Sequence, residues 1–90
     1  MSKTFEQIKQ EIEQEFIGGR YDGITATEEI LTEIVGQSVD FYDTCIDDGA
    51  DGEDTYVMKD CFVSKDDSVV VRIYYGNVTE EIGYVSVDNH

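Results

Sequence analysis

The chain has 90 residues, enough for a single domain over 1–90, and its 21 acidic and 6 basic side chains give a formal net charge of −15. A hydrophobic fraction of 40% predicts a folded core rather than a disordered acidic tail. The charge disfavours direct binding to nucleic acid or to an anionic membrane, and no apolar run reaches the roughly 18 residues of a membrane span.

A first helix is predicted from Thr4 to Ile17. Thr4 followed by Gln7 fits a capping box, in which the side chain of each residue bonds the backbone N–H of the other. The apolar side chains recur at helical spacing and form one stripe, made of Phe5, Ile8, Ile12 and Phe16. Gly18 and Gly19 then end the helix, because glycine tolerates a positive φ.

A second helix is predicted to start after Thr27 and to run to about Ile46 or Asp47. The pair Glu28-Glu29 favours a helix start, since carboxylates stabilise the first turn. One side of this helix is mostly apolar and consists of Leu31, Ile34, Val35, Ser38, Tyr42 and Cys45. Glycine inside a helix costs about 1 kcal/mol relative to alanine, so a break at Gly36 is the main alternative.

The segment Asp47–Asp54 has the composition of a loop, and the rest of the chain is predicted to be β. Runs rich in β-branched and aromatic residues predict three strands, at Thr55–Ser64, Ser68–Tyr75 and Ile82–Val87. The turns at 65–67 and 76–77 are short, which favours antiparallel neighbours. The expected fold class is α+β, with two helices packed on a three-stranded antiparallel meander (ααβββ).

Groups suited to catalysis or metal binding are few. The one histidine, His90, is the last residue, where a frayed chain end cannot hold a base at proton-transfer distance. The acidic loop matches an EF-hand at Asp51 and Gly52, but it lacks an acid at position 3 and a glutamate at position 12. We therefore expect no enzymatic activity, no cofactor and no metal site, with calcium binding by the loop as an alternative.

The two cysteines are not spaced as a CxxC pair and have no histidines at metal-binding distance in the sequence. Without a recognisable signal peptide, Cys45 and Cys61 are expected to be free, half-buried thiols in the reducing cytoplasm. On the predicted strands, alternation turns one of each neighbouring pair of residues outward, so Tyr74 or Tyr75, and Tyr84, are either packed in the core or exposed as interface anchors. Arg72 is expected to pair with Glu81 or Asp60.

The acidic residues follow an order along the chain, because no Lys or Arg occurs between Tyr21 and Met58. On the predicted second helix, five acids point within about 40° of one direction and form an acidic ridge, made of Glu29, Glu33, Asp40, Asp43 and Asp47. The adjoining loop adds Asp48, Asp51, Glu53 and Asp54. Neighbouring carboxylates would lie about 5–6 Å apart, a spacing similar to that of phosphates. These nine residues are the predicted binding site for a basic partner, and a merely solvated acidic face is the alternative.

A short acidic chain with this ridge and loop resembles, as a physical class, the anti-CRISPR proteins and other DNA-mimicking inhibitors of phages and mobile elements. The resemblance implies a non-enzymatic inhibitor in the cytoplasm of a host cell. Its carboxylates would occupy the basic groove of a nucleic-acid-binding protein, such as a CRISPR effector nuclease. The alternative function is a protein-interaction or accessory domain of a mobile element, either monomeric or homodimeric through the open edge of its sheet.

Overall fold

The computed structural model describes residues 3–47 and 57–89. Its elements are, in chain order, α1 (Phe5–Phe16), α2 (Ile24–Val35), β1 (Val39–Asp47), β2 (Val57–Ser64), β3 (Val69–Gly76) and β4 (Ile82–Asn89). The strands form one antiparallel sheet in the order β1-β2-β3-β4. The predicted α+β class is confirmed, whereas the sheet has four strands instead of the predicted three.

Helix α1 agrees with its prediction. Both bonds of the capping box are present, since the Gln7 amide donates to Thr4 Oγ1 at 3.2 Å and the Thr4 amide donates to Gln7 Oε1 at 3.0 Å. The buried side chains of the helix are Ile8, Ile12 and Phe16, with Phe5 packed beside them. The helix ends before Gly18, which has φ +85°.

The long second helix is a wrong prediction, and the break at Gly36 is what the structure contains. Helix α2 begins at Ile24, ends at Val35, and is capped by Gly36 in the left-handed conformation with φ +88°. The amide of Gly36 donates to the carbonyl of Thr32 at 2.9 Å. Residues 39–47 then form strand β1, which buries Val39 completely against the core.

Both helices cover one face of the sheet. Their apolar side chains form a single core with alternate residues of the strands, including Phe62, Val71, Ile73, Val85 and Val87. The intervening residues point away from the helices, and no described element covers them. We call this second surface the open face. Among the described residues, no helix is long and apolar enough to cross a membrane.

Candidate functional site

The predicted acidic ridge does not exist as one face of a helix. Glu29 and Glu33 lie on α2, whereas Asp40, Asp43 and Asp47 lie on β1. The five acids do not share one direction because the helix ends at Gly36 and the chain continues as a strand, in which side chains alternate between two faces. The four predicted loop residues, Asp48, Asp51, Glu53 and Asp54, lie outside the described part of the chain.

The two groups of acids nevertheless lie on one edge of the molecule, because α2 packs alongside β1. The amide of Val39 donates to Thr32 Oγ1 at 3.0 Å, and the amide of Phe41 donates to Glu28 Oε2 at 2.7 Å. These bonds fix the helix against the outer border of the sheet. Four other acids near this border are exposed, and we call them the acidic edge: Glu29 and Glu33 on α2, and Asp40 and Asp43 on the open-face side of β1.

The same bonds limit the open sheet edge that a homodimer would use. Two consecutive outward amides of β1, those of Val39 and Phe41, are already occupied by α2 side chains. At the other edge, Ile82 at the start of β4 exchanges backbone bonds of 3.0 and 2.9 Å with Gly18 and Gly19. Both edges are thus partly closed by the protein's own chain, which hinders strand addition there.

Ion pairs use other carboxylates. The salt bridges among the described residues are Lys3–Glu11 at 2.9 Å, Arg20–Glu80 at 2.8 Å and Arg72–Asp88 at 2.7 Å. None of them involves the acidic edge. The expected pairing of Arg72 with Glu81 or Asp60 is wrong.

The reason is the orientation of the strands. Arg72 faces Ser86 across the β3–β4 pair, which places Asp88 two residues further along on the same open face. Asp60 points to the opposite, helix-covered face and is buried.

The β1 acids have basic neighbours even though they form no salt bridge. A groove of about 580 Å³ on the open face is lined by Asp40, Tyr42, Val63, Val70, Lys65 and Arg72, among others. Asp43 pairs with Cys61 across β1 and β2, and Cys61 in turn pairs with Arg72 across β2 and β3. Arg72 therefore lies two strands away from Asp43 on the same face. The helix acids Glu29 and Glu33 are therefore the more isolated half of the acidic edge.

A buried carboxylate that the sequence analysis did not select lies under the helices. Asp60 is 1% exposed and accepts hydrogen bonds from three hydroxyl groups. Tyr21 donates to Oδ2, Thr44 Oγ1 lies 2.9 Å from Oδ1, and the Tyr75 hydroxyl is 3.3 Å from each oxygen. The rings of Tyr21 and Tyr75 stack with centroids 4.0 Å apart.

Both phenols are held in their protonated, donating form. Burial raises the pKa of Tyr21 well above its usual range, and its bond to the Asp60 carboxylate and that negative charge raise it further. Burial and the same charge raise the pKa of Tyr75 to about 12. The neighbouring cavity of about 370 Å³ is lined by both tyrosines but not by Asp60. The cluster therefore fastens the α1–α2 connection to strands β2 and β3 rather than presenting a carboxylate to a ligand.

A signal for this cluster exists in the sequence. In the predicted strand Thr55–Ser64, alternation places Asp60 on the same side as Phe62. A large aromatic side chain such as Phe62 is typical of the buried side of a strand. An acid on an apolar strand face requires hydrogen-bond donors. Its donors come from distant elements, and the sequence does not identify them.

The cysteines lie on the open face, in neighbouring strands. Cys45 is exposed and Cys61 is half-buried, and both are free thiols. Burial raises the pKa of the Cys61 thiol, which the positive charge of Arg72 partly offsets. The expectation of free thiols agrees with the structure, whereas the half-buried position holds for Cys61 alone.

Within residues 3–47 and 57–89, no group of three or more His, Cys, Asp or Glu side chains is arranged to hold a metal ion. The candidate calcium loop falls mostly outside these ranges. No family model matches the chain, and neither curated proteins nor solved structures give a match. The function of this chain is therefore inferred from its own geometry and charge.

Proposed function

We propose that this protein is a non-enzymatic inhibitor that binds a basic nucleic-acid-binding protein and takes the place of the nucleic acid. The observation that carries the proposal is the acidic edge: four exposed carboxylates on α2 and β1 that take part in no salt bridge among the described residues. They belong to a chain of net charge −15. The proposed contact surface is this edge, in place of the acidic ridge expected along one helix.

The described acids differ in what they do in the fold. Asp60, Asp66 and Glu28 accept hydrogen bonds that hold the core, the β2–β3 turn and the sheet edge, respectively. Within the described residues, Glu29, Glu33 and Asp40 accept no hydrogen bond, and Asp43 accepts bonds only from its chain neighbours Thr44 and Cys45. Carboxylates with no task inside the fold are free to meet cations of a partner.

The spacing of these carboxylates suits a groove that normally holds a phosphate backbone. Glu29 and Glu33 are one helical turn apart, so their Cβ atoms are separated by about 5–6 Å. Their mutual repulsion destabilises the free protein by a few tenths of a kcal/mol. A partner rich in Lys and Arg relieves this repulsion, and long-range attraction accelerates the encounter.

The target we propose is a host defence nuclease, such as a CRISPR effector, or another DNA-binding protein in the cytoplasm of the host. In such an enzyme the groove that holds the guide–target duplex is positively charged, and it contacts the nucleic-acid backbone instead of recognising the base sequence. A folded polyanion fits this requirement because it supplies charge without base pairing. The strong net negative charge, −15 in 90 residues, is the property that this choice of target uses.

The test is affinity capture from a host lysate at low salt, followed by elution with double-stranded DNA. The acidic-edge variant carries Glu29→Lys, Glu33→Lys and Asp40→Lys. The control variant carries Glu13→Lys, Glu15→Lys and Glu81→Lys, which form no salt bridge among the described residues. Each reversal changes the charge by two, so both variants have −9 in place of −15.

The wild type and the control variant should capture a nucleic-acid-binding protein that DNA releases, and the acidic-edge variant should not. Equal capture by the two variants would mean that total charge, and not the acidic edge, determines binding. A captured protein that high salt releases but DNA does not would contradict competition for the nucleic-acid groove.

A further inference from the structure

The open face is the part of the described surface on which negative charge is most nearly balanced. The chain as a whole has 6 basic and 21 acidic residues. Half of the basic residues, Lys59, Lys65 and Arg72, lie on the open face or at its end. Arg72 is paired with Asp88, and the Lys59 ammonium lies 6.0 Å from the ring centre of Tyr74.

The same face also exposes two large aromatic side chains, beside valines that are half-buried or buried. Tyr84 is 58% exposed and packs against Tyr74 with ring centroids 5.3 Å apart. Tyr42 is 74% exposed and lines the groove of about 580 Å³ together with Val63 and Val70. Large apolar side chains on an uncovered sheet face are typical of an interaction surface.

We propose that a second copy of this chain packs on the open face, so that two sheets meet face to face with the helices outside. Charge selects this surface over the others. The outer sides of both helices carry carboxylates, so two molecules of charge −15 that meet through their helices repel each other. The open face also carries Asp40, Asp43 and Asp88, but the basic residues Lys59, Lys65 and Arg72 lie among them, so the repulsion between two copies is weaker there.

The area of the face is sufficient for a weak dimer. Four strands about 4.8 Å apart, each with eight or nine residues at about 3.3 Å, give a footprint of roughly 500 Å² per copy. The total of roughly 1,000 Å² is near the lower limit for a specific interface. The association is therefore concentration-dependent, and the monomer predominates in dilute solution.

The dependence on salt separates this proposal from the proposed function. Added salt shortens the Debye length from about 10 Å at 0.1 M to about 3 Å at 1 M. Screening weakens the repulsion between two acidic bodies and leaves apolar contact intact, so the dimer tightens with salt. Binding of a basic partner weakens under the same change, so either proposal can fail without the other.

The experiment is sedimentation equilibrium between about 10 µM and about 1 mM protein, at low and at high salt. Tyr84→Glu places a carboxylate within the open face and should raise the dimer Kd about tenfold or more. Val78→Glu is the control, because Val78 is 67% exposed in the β3–β4 connection and receives the same added charge. It should change the Kd by about twofold at most. Alkylation of Cys61, which lies on the open face, should slow as the dimer forms.

Two results would overturn the proposal. A chain that stays monomeric at about 1 mM and high salt does not use this face for a second copy. A dimer that both variants weaken equally, or that leaves the alkylation rate of Cys61 unchanged, forms through another surface.

Discussion

The hydroxyl of Tyr21 donates a hydrogen bond to the carboxylate of Asp60, and this bond links the α1–α2 connection to the middle of the sheet. Both residues are buried, at 5% and 1% exposure. A charged acceptor inside a core is stable only while its donors remain in place. Tyr21 is therefore a position where the loss of one oxygen atom has a large effect on folding.

We expect Tyr21→Phe to lower the free energy of unfolding by about 2 kcal/mol, because it removes a hydrogen bond to a buried charge without removing the ring. Urea denaturation followed by circular dichroism measures the change. Tyr84→Phe is the control, since Tyr84 is 58% exposed and its hydroxyl makes no bond among the described residues. A result in which both variants lose the same stability would contradict the role of the buried bond.

The same cluster predicts a loss of stability at high pH. A tyrosine in the unfolded chain releases its proton near pH 10.0, whereas Tyr75 in the folded protein holds it to about 12 and Tyr21 holds it more strongly still. Above the unfolded pKa the unfolded state binds fewer protons, so stability falls as the pH rises through this window. Tm measured from about pH 8 to about pH 11 should decline above about pH 10.

The alkaline decline above about pH 10 should be less steep in Tyr21→Phe, because one of the two tyrosines with a raised pKa is gone, while the Cys61 thiol, whose pKa is also raised, contributes equally in both proteins. Tyr84→Phe serves again as the control and should keep the slope of the wild type. If the slope in Tyr21→Phe equals that of the wild type, other groups cause the alkaline loss.

Helix α1 could be predicted from the sequence because every local signal agreed. The capping box, the apolar stripe and the glycine stop specify the same twelve residues, give or take one at each end. The end of helix α2 could not be predicted in this way. The apolar residues from Leu31 to Cys45 fit helical spacing, and a bulge between Phe41 and Asp43 interrupts the alternation that would have revealed strand β1.

The candidate site depended on that boundary. Residues Glu29 and Glu33 keep the predicted spacing because they precede Gly36, and Asp40 and Asp43 follow it. The common edge that joins them results from α2 packing beside β1, which is a tertiary contact. Sequence periodicity reports local geometry only, so it could identify the acids but not the surface that they share.

Gly36 thus decides where α2 ends, and we expect Gly36→Ala to lower the free energy of unfolding by about 1 kcal/mol. The cause is conformational, because Gly36 has φ +88° and nothing lies within 4 Å of an added Cβ. Gly83→Ala is the matched control, with equal space and no positive φ. It should leave stability unchanged or slightly raised, as measured by urea denaturation. Equal effects at the two glycines would show that the left-handed cap is unimportant.

Glu28 has a different task from its neighbour Glu29, and substituting each by alanine should separate the two. The Glu28 carboxylate accepts the Phe41 amide at 2.7 Å and so occupies the border of β1. We expect Glu28→Ala to lower the free energy of unfolding by about 1–2 kcal/mol and to accelerate hydrogen exchange at the Phe41 amide. Glu29→Ala, at an exposed residue, should stay within about 0.5 kcal/mol of the wild type.

The same pair of variants also tests whether the fold protects its own edge. With the carboxylate gone, the freed amide of Phe41 can pair with a strand of another molecule, so Glu28→Ala should aggregate faster on mild heating than Glu29→Ala. Light scattering under identical conditions measures this, and both variants have lost the same charge. If they aggregate at one rate, the bond stabilises the monomer but does not guard the sheet border, and the border is protected by the charge of the surrounding surface.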